Sequence, residues 1–185
     1  MPLKINGATN GSVTLAAPAT GSDVTLTLPS SSGTVALFKA LQIVNVELSS
    51  PQTTSSTTFS DLTGVSATII PQSLSSKIMI SFNANVALSA VASTVLFNLV
   101  RNGVNIAQPA AGPSQPSSFN YFANGSVQSI PLSWSYVDSP SSTSALTYKI
   151  QWKTDNASIT AYFLRHSGNT NYNTIGSFTL IEIGS

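Results

Sequence analysis

From Ala40 onward, apolar residues return at every second position, and nowhere do they hold a 3.6-residue period. In Lys77–Leu88, one side of an extended strand carries Ile78, Ile80, Phe82, Ala84, Val86 and Leu88. The other side carries Ser81, Asn83 and Asn85. A period of two places one face in a core and the other in water, which an amphipathic helix cannot do. Ser, Thr and β-branched residues dominate, as a pleated surface favours. The pattern predicts strands at 40–48, 65–70, 77–88, 95–101, 104–107, 127–137, 146–153, 159–165 and 177–183. Strands so short and so closely spaced predict an all-β fold, an antiparallel sandwich or jelly roll. Asn102-Gly103 between two of them is a tight-hairpin signal.

The faces divide the strands into two kinds. Ile130, Leu132, Trp134 and Tyr136 alternate with Ser133 and Ser135, and Leu146, Tyr148, Ile150 and Trp152 alternate with Thr147, Lys149, Gln151 and Lys153. These read as half-buried antiparallel strands. Three other strands are apolar on both sides. Val95, Phe97 and Leu99 are backed by Leu96 and Val100; Ile159, Ala161 and Phe163 by Tyr162 and Leu164; Phe178 and Leu180 by Ile181 and Ile183. A sandwich has one buried face per sheet, so a second apolar face needs another cover. Leu96, Val100, Tyr162, Leu164, Ile181 and Ile183 are therefore expected to meet other copies around a three-fold axis. The alternative is cover from the same chain, by residues 1–38 or by the long loop 105–126.

Residues 1–38 are set apart by a phrase repeated at an interval of 11 residues. Gly11-Ser12-Val13-Thr14-Leu15 becomes Ser22-Asp23-Val24-Thr25-Leu26 and then Gly33-Thr34-Val35-Ala36-Leu37. Pro18 and Pro29 punctuate the passes, because proline cannot donate to a ladder. A unit this short cannot bury its own apolar face and must stack on neighbours. The expectation is extended β repeats wound as a three-chain stalk, with Val13, Leu15, Val24, Leu26, Leu28, Val35 and Leu37 as its trimer or anchoring contacts. A flexible Gly/Ser-rich tail is the alternative. The predicted domains are thus an N-terminal repeat segment, 1–38, and a β-sandwich, 39–185.

Charge narrows the partners. Only 7% of the 185 residues are charged, against about 25% in ordinary domains, and the net charge is +1. The polar surface is built from Ser, Thr and Asn, which do little to keep copies apart. Scattered basic residues do not make a nucleic-acid surface. No apolar run approaches the roughly 18 residues of a membrane helix, and residues 1–7 lack the apolar core of a secretory signal. Neither nucleic acid nor membrane is expected as a partner.

Catalytic signals are sparse. The six carboxylates, Asp23, Glu47, Asp61, Asp138, Asp155 and Glu182, form no close pair in sequence of the kind a glycosidase uses. His166 is the one histidine, no Gly-x-Ser-x-Gly elbow accompanies it, and cysteine is absent. No enzyme, metal or cofactor is expected; a polysaccharide-degrading enzyme is the weakest of the functional alternatives. The loop 105–126, stiffened by Pro109, Pro113 and Pro116, carries Phe119, Tyr121 and Phe122. With Tyr172 in the polar loop 166–174, these aromatics form a candidate outer binding loop that could stack on sugar rings. Capping of the sandwich end is the equally simple alternative.

Three stretches carry a resemblance. Asn6-Gly7-Ala8-Thr9-Asn10-Gly11-Ser12-Val13-Thr14-Leu15 through Leu28-Pro29-Ser30-Ser31-Ser32-Gly33-Thr34 resembles the N-terminal segment of virion proteins of tailed bacteriophages, notably cyanophages. Phe59-Ser60-Asp61-Leu62-Thr63-Gly64-Val65 to Pro71, then Ser76-Lys77-Ile78, is similar to the start of a phage jelly-roll domain, and Phe178-Thr179-Leu180-Ile181-Glu182-Ile183 to its last strand. The resemblance implies a homotrimeric virion structural protein without cofactor. Its N-terminal segment would bind the major capsid protein or another virion protein, and its jelly roll would face outward. A compact chain favours capsid decoration (cement) or a short head fibre on the capsid surface. A tail fibre that recognises a host surface glycan is the alternative.

Overall fold

The computed structural model describes residues 3–6, 12–15, 39–110, 115–124, 129–169 and 171–184. The chain divides into two compact units, Met1–Leu37 and Phe38–Ser185. In the first, β1 (Leu3–Asn6) pairs antiparallel with β2 (Ser12–Leu15), Leu3 opposite Leu15 and Ile5 opposite Val13. The first repeat copy thus finds a strand partner in its own chain rather than only across chains. The second and third copies, with Val24, Leu26, Leu28, Val35 and Leu37, lie outside the described residues.

The second unit is all β among its described residues. Its strands are β3 (Lys39–Leu48), β4 (Gln52–Thr54), β5 (Ser60–Ile69), β6 (Lys77–Leu88), β7 (Ser93–Arg101) and β8 (Val104–Ile106), followed by β9 (Phe119–Ala123), β10 (Ile130–Asp138), β11 (Leu146–Thr154), β12 (Ala161–Phe163) and β13 (Gly176–Gly184). One sheet runs β3-β13-β6-β10, with β12 and β4 continuing beside the far half of β6. The other runs β5-β11-β7, with β8 and β9 both paired to β7. All pairings are antiparallel. The chain crosses between the two sheets repeatedly, at β4–β5, β5–β6, β6–β7, β9–β10, β10–β11 and β11–β12, an antiparallel sandwich as the short strands predicted.

The inner faces meet in one core. Ile78, Ile80, Phe82, Val86 and Leu88 of β6 face Val95, Phe97 and Leu99 of β7 and Tyr148 and Ile150 of β11, each under 2% exposed. Aromatic rings run through it. Phe119 stacks on Phe97 at 4.8 Å and on Trp134 at 4.5 Å, and Trp134 continues to Tyr136 at 6.0 Å. Offset rings at these separations add to the area that they bury.

Two buried carboxylates, each opposite Ile78 of β6, lie at one end of the sandwich. Asp138, 7% exposed at the end of β10, accepts from Arg101 at 2.6 Å and from the Tyr148 hydroxyl at 2.7 Å. It ties β10 in one sheet to β7 and β11 in the other. Glu182, fully buried in β13, accepts from the Gln42 amide at 2.6 Å and the Gln72 backbone N–H at 2.7 Å. Burial alone would raise its pKa, but the hydrogen bonds it accepts outweigh burial and leave it below the usual range.

Three sequence expectations need correction here. The stretch 105–126 is not one long loop, because Phe119–Ala123 forms β9 on the edge of β7, Phe119 opposite Phe97. Leu96 and Val100 are 5% and 2% exposed within a single chain. Gln108 and Ser118, which lie between β8 and β9, sit on that side of β7. Asn98, between the two on the same face, is 1% exposed and accepts from Gln108, whose amide also reaches Ser118. Leu164 is fully buried because its φ of 56° breaks the alternation after Phe163 and returns it to the core. These three residues do not offer a surface to another copy.

Candidate interaction face

The two outer faces of the sandwich differ in chemistry. On the β5-β11-β7 sheet, Lys149 and Lys153 of β11 join Asp61 of β5. Lys149 pairs with Asp61 at 2.7 Å, and the Gln151 amide donates to the same carboxylate at 2.8 Å. The Lys149 ammonium and the Gln151 amide hold the Asp61 carboxyl below its ordinary range. Beside this pair, β5 bulges between Asp61 and Ser66, where Leu62–Val65 oppose the single residue Ile150. Gly64 takes a φ of 78° in the bulge, and the Gln52 side chain clamps Thr63 by bonds of 2.8 Å and 2.9 Å to its carbonyl and N–H. The result is an open groove of about 550 Å³ between the bulge and the Asn102-Gly103 turn.

The β3-β13-β6-β10 face is uncharged over most of its width. The register sets its residues in rows across four strands. Ile43, Ile181, Met79 and Val137 stand directly opposite one another in turn, forming a continuous apolar row. Ile43 is 62% exposed and Val137 49%, at the two edges, while Ile181 and Met79 are half-buried between them. The next row is Asn45, Thr179, Ser81 and Ser135, and the next is Glu47, Ser177, Asn83 and Ser133. Hydrogen bonds fix the polar rows. Thr179 donates to Asn45 at 2.6 Å, Ser133 to Asn83 at 2.6 Å, and the Asn83 amide to Ser81 at 3.1 Å. A shallow groove of about 330 Å³ lined by Asn85, Ser133, Ile175 and Gly176 ends the face, with Ile175 70% exposed. Lys77 and Glu47 are its charges, each at a margin of the array.

The predicted interface residues thus separate. Tyr162, Ile181 and Ile183 stay partly exposed on the outer side of this sheet, whereas Leu96, Val100 and Leu164 are covered from within. Tyr162 carries the Arg165 guanidinium over its ring at 5.1 Å. Ile43, Met79 and Val137 complete the row, and sequence reasoning passed them over. Met79 and Val137 sit on the polar side of strands that read as half-buried, and only the register shows that they align with Ile43.

The candidate outer binding loop also changes membership. Phe119 is 8% exposed, held in the ring stack because β9 turns its alternate side inward. Tyr121 is half-buried against the core. Phe122 and Tyr172 are 51% and 65% exposed. His166 accepts from the Gly168 N–H at 3.0 Å and lies edge-on to Tyr172, a local turn contact. No group of His, Cys, Asp and Glu with metal-ligating geometry occurs among the described residues.

No protein-family model matches the chain, and no curated protein matches it. The solved structures that the chain matches include several from infectious bursal disease virus. A T13 viral particle overlaps at a TM-score of 0.37 with 12% identity, over 94% of this chain and 43% of that one. The Gx strain overlaps at 0.36 with 12% identity, over 98% and 48%. A mutant VP2 protein in derived T=1 particles overlaps at 0.33 with 11% identity, over 96% and 44%. The chain spans less than half the length of these chains.

Proposed function

We propose that this chain is a structural protein of a tailed-bacteriophage virion. It acts as a homotrimeric capsid decoration (cement) or short head-fibre protein, held to the capsid by residues 1–38. The observation that carries this reading is the sparsely charged β3-β13-β6-β10 face with its four-residue apolar row. An isolated soluble domain has no use for an aligned apolar row wetted at both ends, whereas an assembly subunit does. The repeat segment and the resemblance of its residues to phage virion segments supply the attachment. The protein's work is then contact rather than catalysis.

The test is where and how often the chain occurs on particles. Quantitative mass spectrometry of purified virions, with antibody labelling by electron microscopy, should find it in hundreds of copies spread over the head. A few tens of copies confined to the tail would replace this reading by the tail-fibre one. Exposed Phe122 and Tyr172 favour that second reading, because they are free to stack on a host glycan.

A further inference from the structure

We infer that copies of this chain meet through the β3-β13-β6-β10 face, end to end along its rows, with Val137 of one copy against Ile43 of the next. This rests on the homotrimer proposed above and names the surface that forms it.

The argument is one of matching levels. Ile43, Asn45 and Glu47 descend the β3 edge of the face, while Val137, Ser135 and Ser133 descend the β10 edge at the same three heights. A rotation axis running along the strands keeps every row at its own height. The β3 edge of one copy then meets the β10 edge of the next with apolar against apolar, amide against hydroxyl and carboxylate against hydroxyl. No like charges oppose each other at any level. Three copies so placed join their apolar rows into a closed ring around the axis. The outer face of the other sheet lacks this property, since Lys149 and Lys153 stand there with Asp61.

The two ends of the row are also its most exposed members, Ile43 at 62% and Val137 at 49%. They have the most water to lose in such a contact. Four strands about 4.8 Å apart and three rows about 6.7 Å apart make a face of roughly 400 Å². That is below the roughly 800 Å² per partner of a standard interface. So small a face holds with little surplus, and one charge in its apolar row is enough to open it.

The experiment is native mass spectrometry and sedimentation velocity on the full chain and four variants. Wild type and the control Phe122→Lys, exposed in β9 on the other sheet, should run as trimers. Ile43→Glu and Val137→Lys should each fall to one third of that mass, with unchanged far-ultraviolet circular dichroism because both sites are exposed. The double variant Ile43→Glu/Val137→Lys should recover the trimer at low salt, since each lysine then meets a glutamate of the next copy. A trimeric wild type whose single variants stay trimeric overturns the assignment of this face but leaves the trimer standing. Dissociated single variants without recovery in the double variant overturn the end-to-end pairing. A monomeric wild type overturns the homotrimer itself, and this inference with it.

Discussion

Tyr148 and Glu182 set opposite limits on the pH range in which the sandwich is stable. Tyr148 is wholly enclosed, and burial first, then its bond to Asp138, pushes its pKa well above the ordinary 10.0. The folded state therefore keeps a proton that the unfolded chain releases. The stability this bond supplies is complete below about pH 10 and is lost as pH rises beyond it. Glu182 has the reverse sign. Its lowered pKa means that stability is present above the unfolded value of 4.5 and lost as pH falls below it. Urea midpoints from pH 3 to pH 11 should trace a plateau with a falling arm on each side. Tyr148→Phe should cost about 2 kcal/mol at pH 7, a hydrogen bond to a charged group. By pH 11 its deficit against wild type should shrink by about 1 kcal/mol, because the phenylalanine has no proton to lose. A deficit that stays constant across that range would show that Tyr148 is not held protonated by the fold.

Among the elements, β13 is held on both sides, because it pairs along its length with β3 and with β6. Gly176 opens it at a close crossing. A Cβ there would stand 2.6 Å from the Asn83 carbonyl oxygen and 3.2 Å from the Ala84 side chain. The Asn83 oxygen is backbone and cannot rotate away, so Gly176→Ala must shift β13 against β6. The expected cost is about 1–3 kcal/mol, the usual range for forced overpacking. Gly168→Ala, which meets only the His166 ring at 3.7 Å, is the control and should be near neutral. Equal melting temperatures for the two variants would mean that β13 slides without penalty. The same strand shows what a sequence can and cannot tell. The alternation over Lys77–Leu88 predicts β6 to the residue, and Phe178 and Leu180 declare the inner side of β13. Yet β9 is hidden, because five residues between Pro116 and Asn124-Gly125 look like the end of a loop until β7 supplies a partner. Leu164 is hidden for another reason, since leucine rarely takes the φ of 56° that turns it inward. The apolar row is hidden most deeply. Ile43, Met79, Ile181 and Val137 are scattered over 139 positions of sequence, and only pairing register aligns them.

At the scale of the whole molecule, scarcity of charge has a consequence for assembly. Surface ion pairs weaken with salt, as the screening length falls from about 10 Å at 0.1 M to about 3 Å at 1 M. A contact built on the Ile43–Ile181–Met79–Val137 row and its Asn, Ser and Thr neighbours has almost nothing to screen. Glu47, the charge nearest the contact, faces Ser133 rather than a lysine in the proposed arrangement. The proposed trimer should therefore dissociate at nearly the same protein concentration in about 0.1 M and about 1 M sodium chloride, within about threefold. Attachment to the particle should be equally tolerant if residues 1–38 act through Val and Leu, because Asp23 is the only carboxylate in that segment. Sedimentation equilibrium across the salt series measures the first, and release of the chain from washed particles measures the second. A tenfold or greater weakening in high salt would mean that ion pairs hold the copies together. The charged β5-β11-β7 face, with Asp61, Lys149 and Lys153, would then be the surface to which the contact belongs.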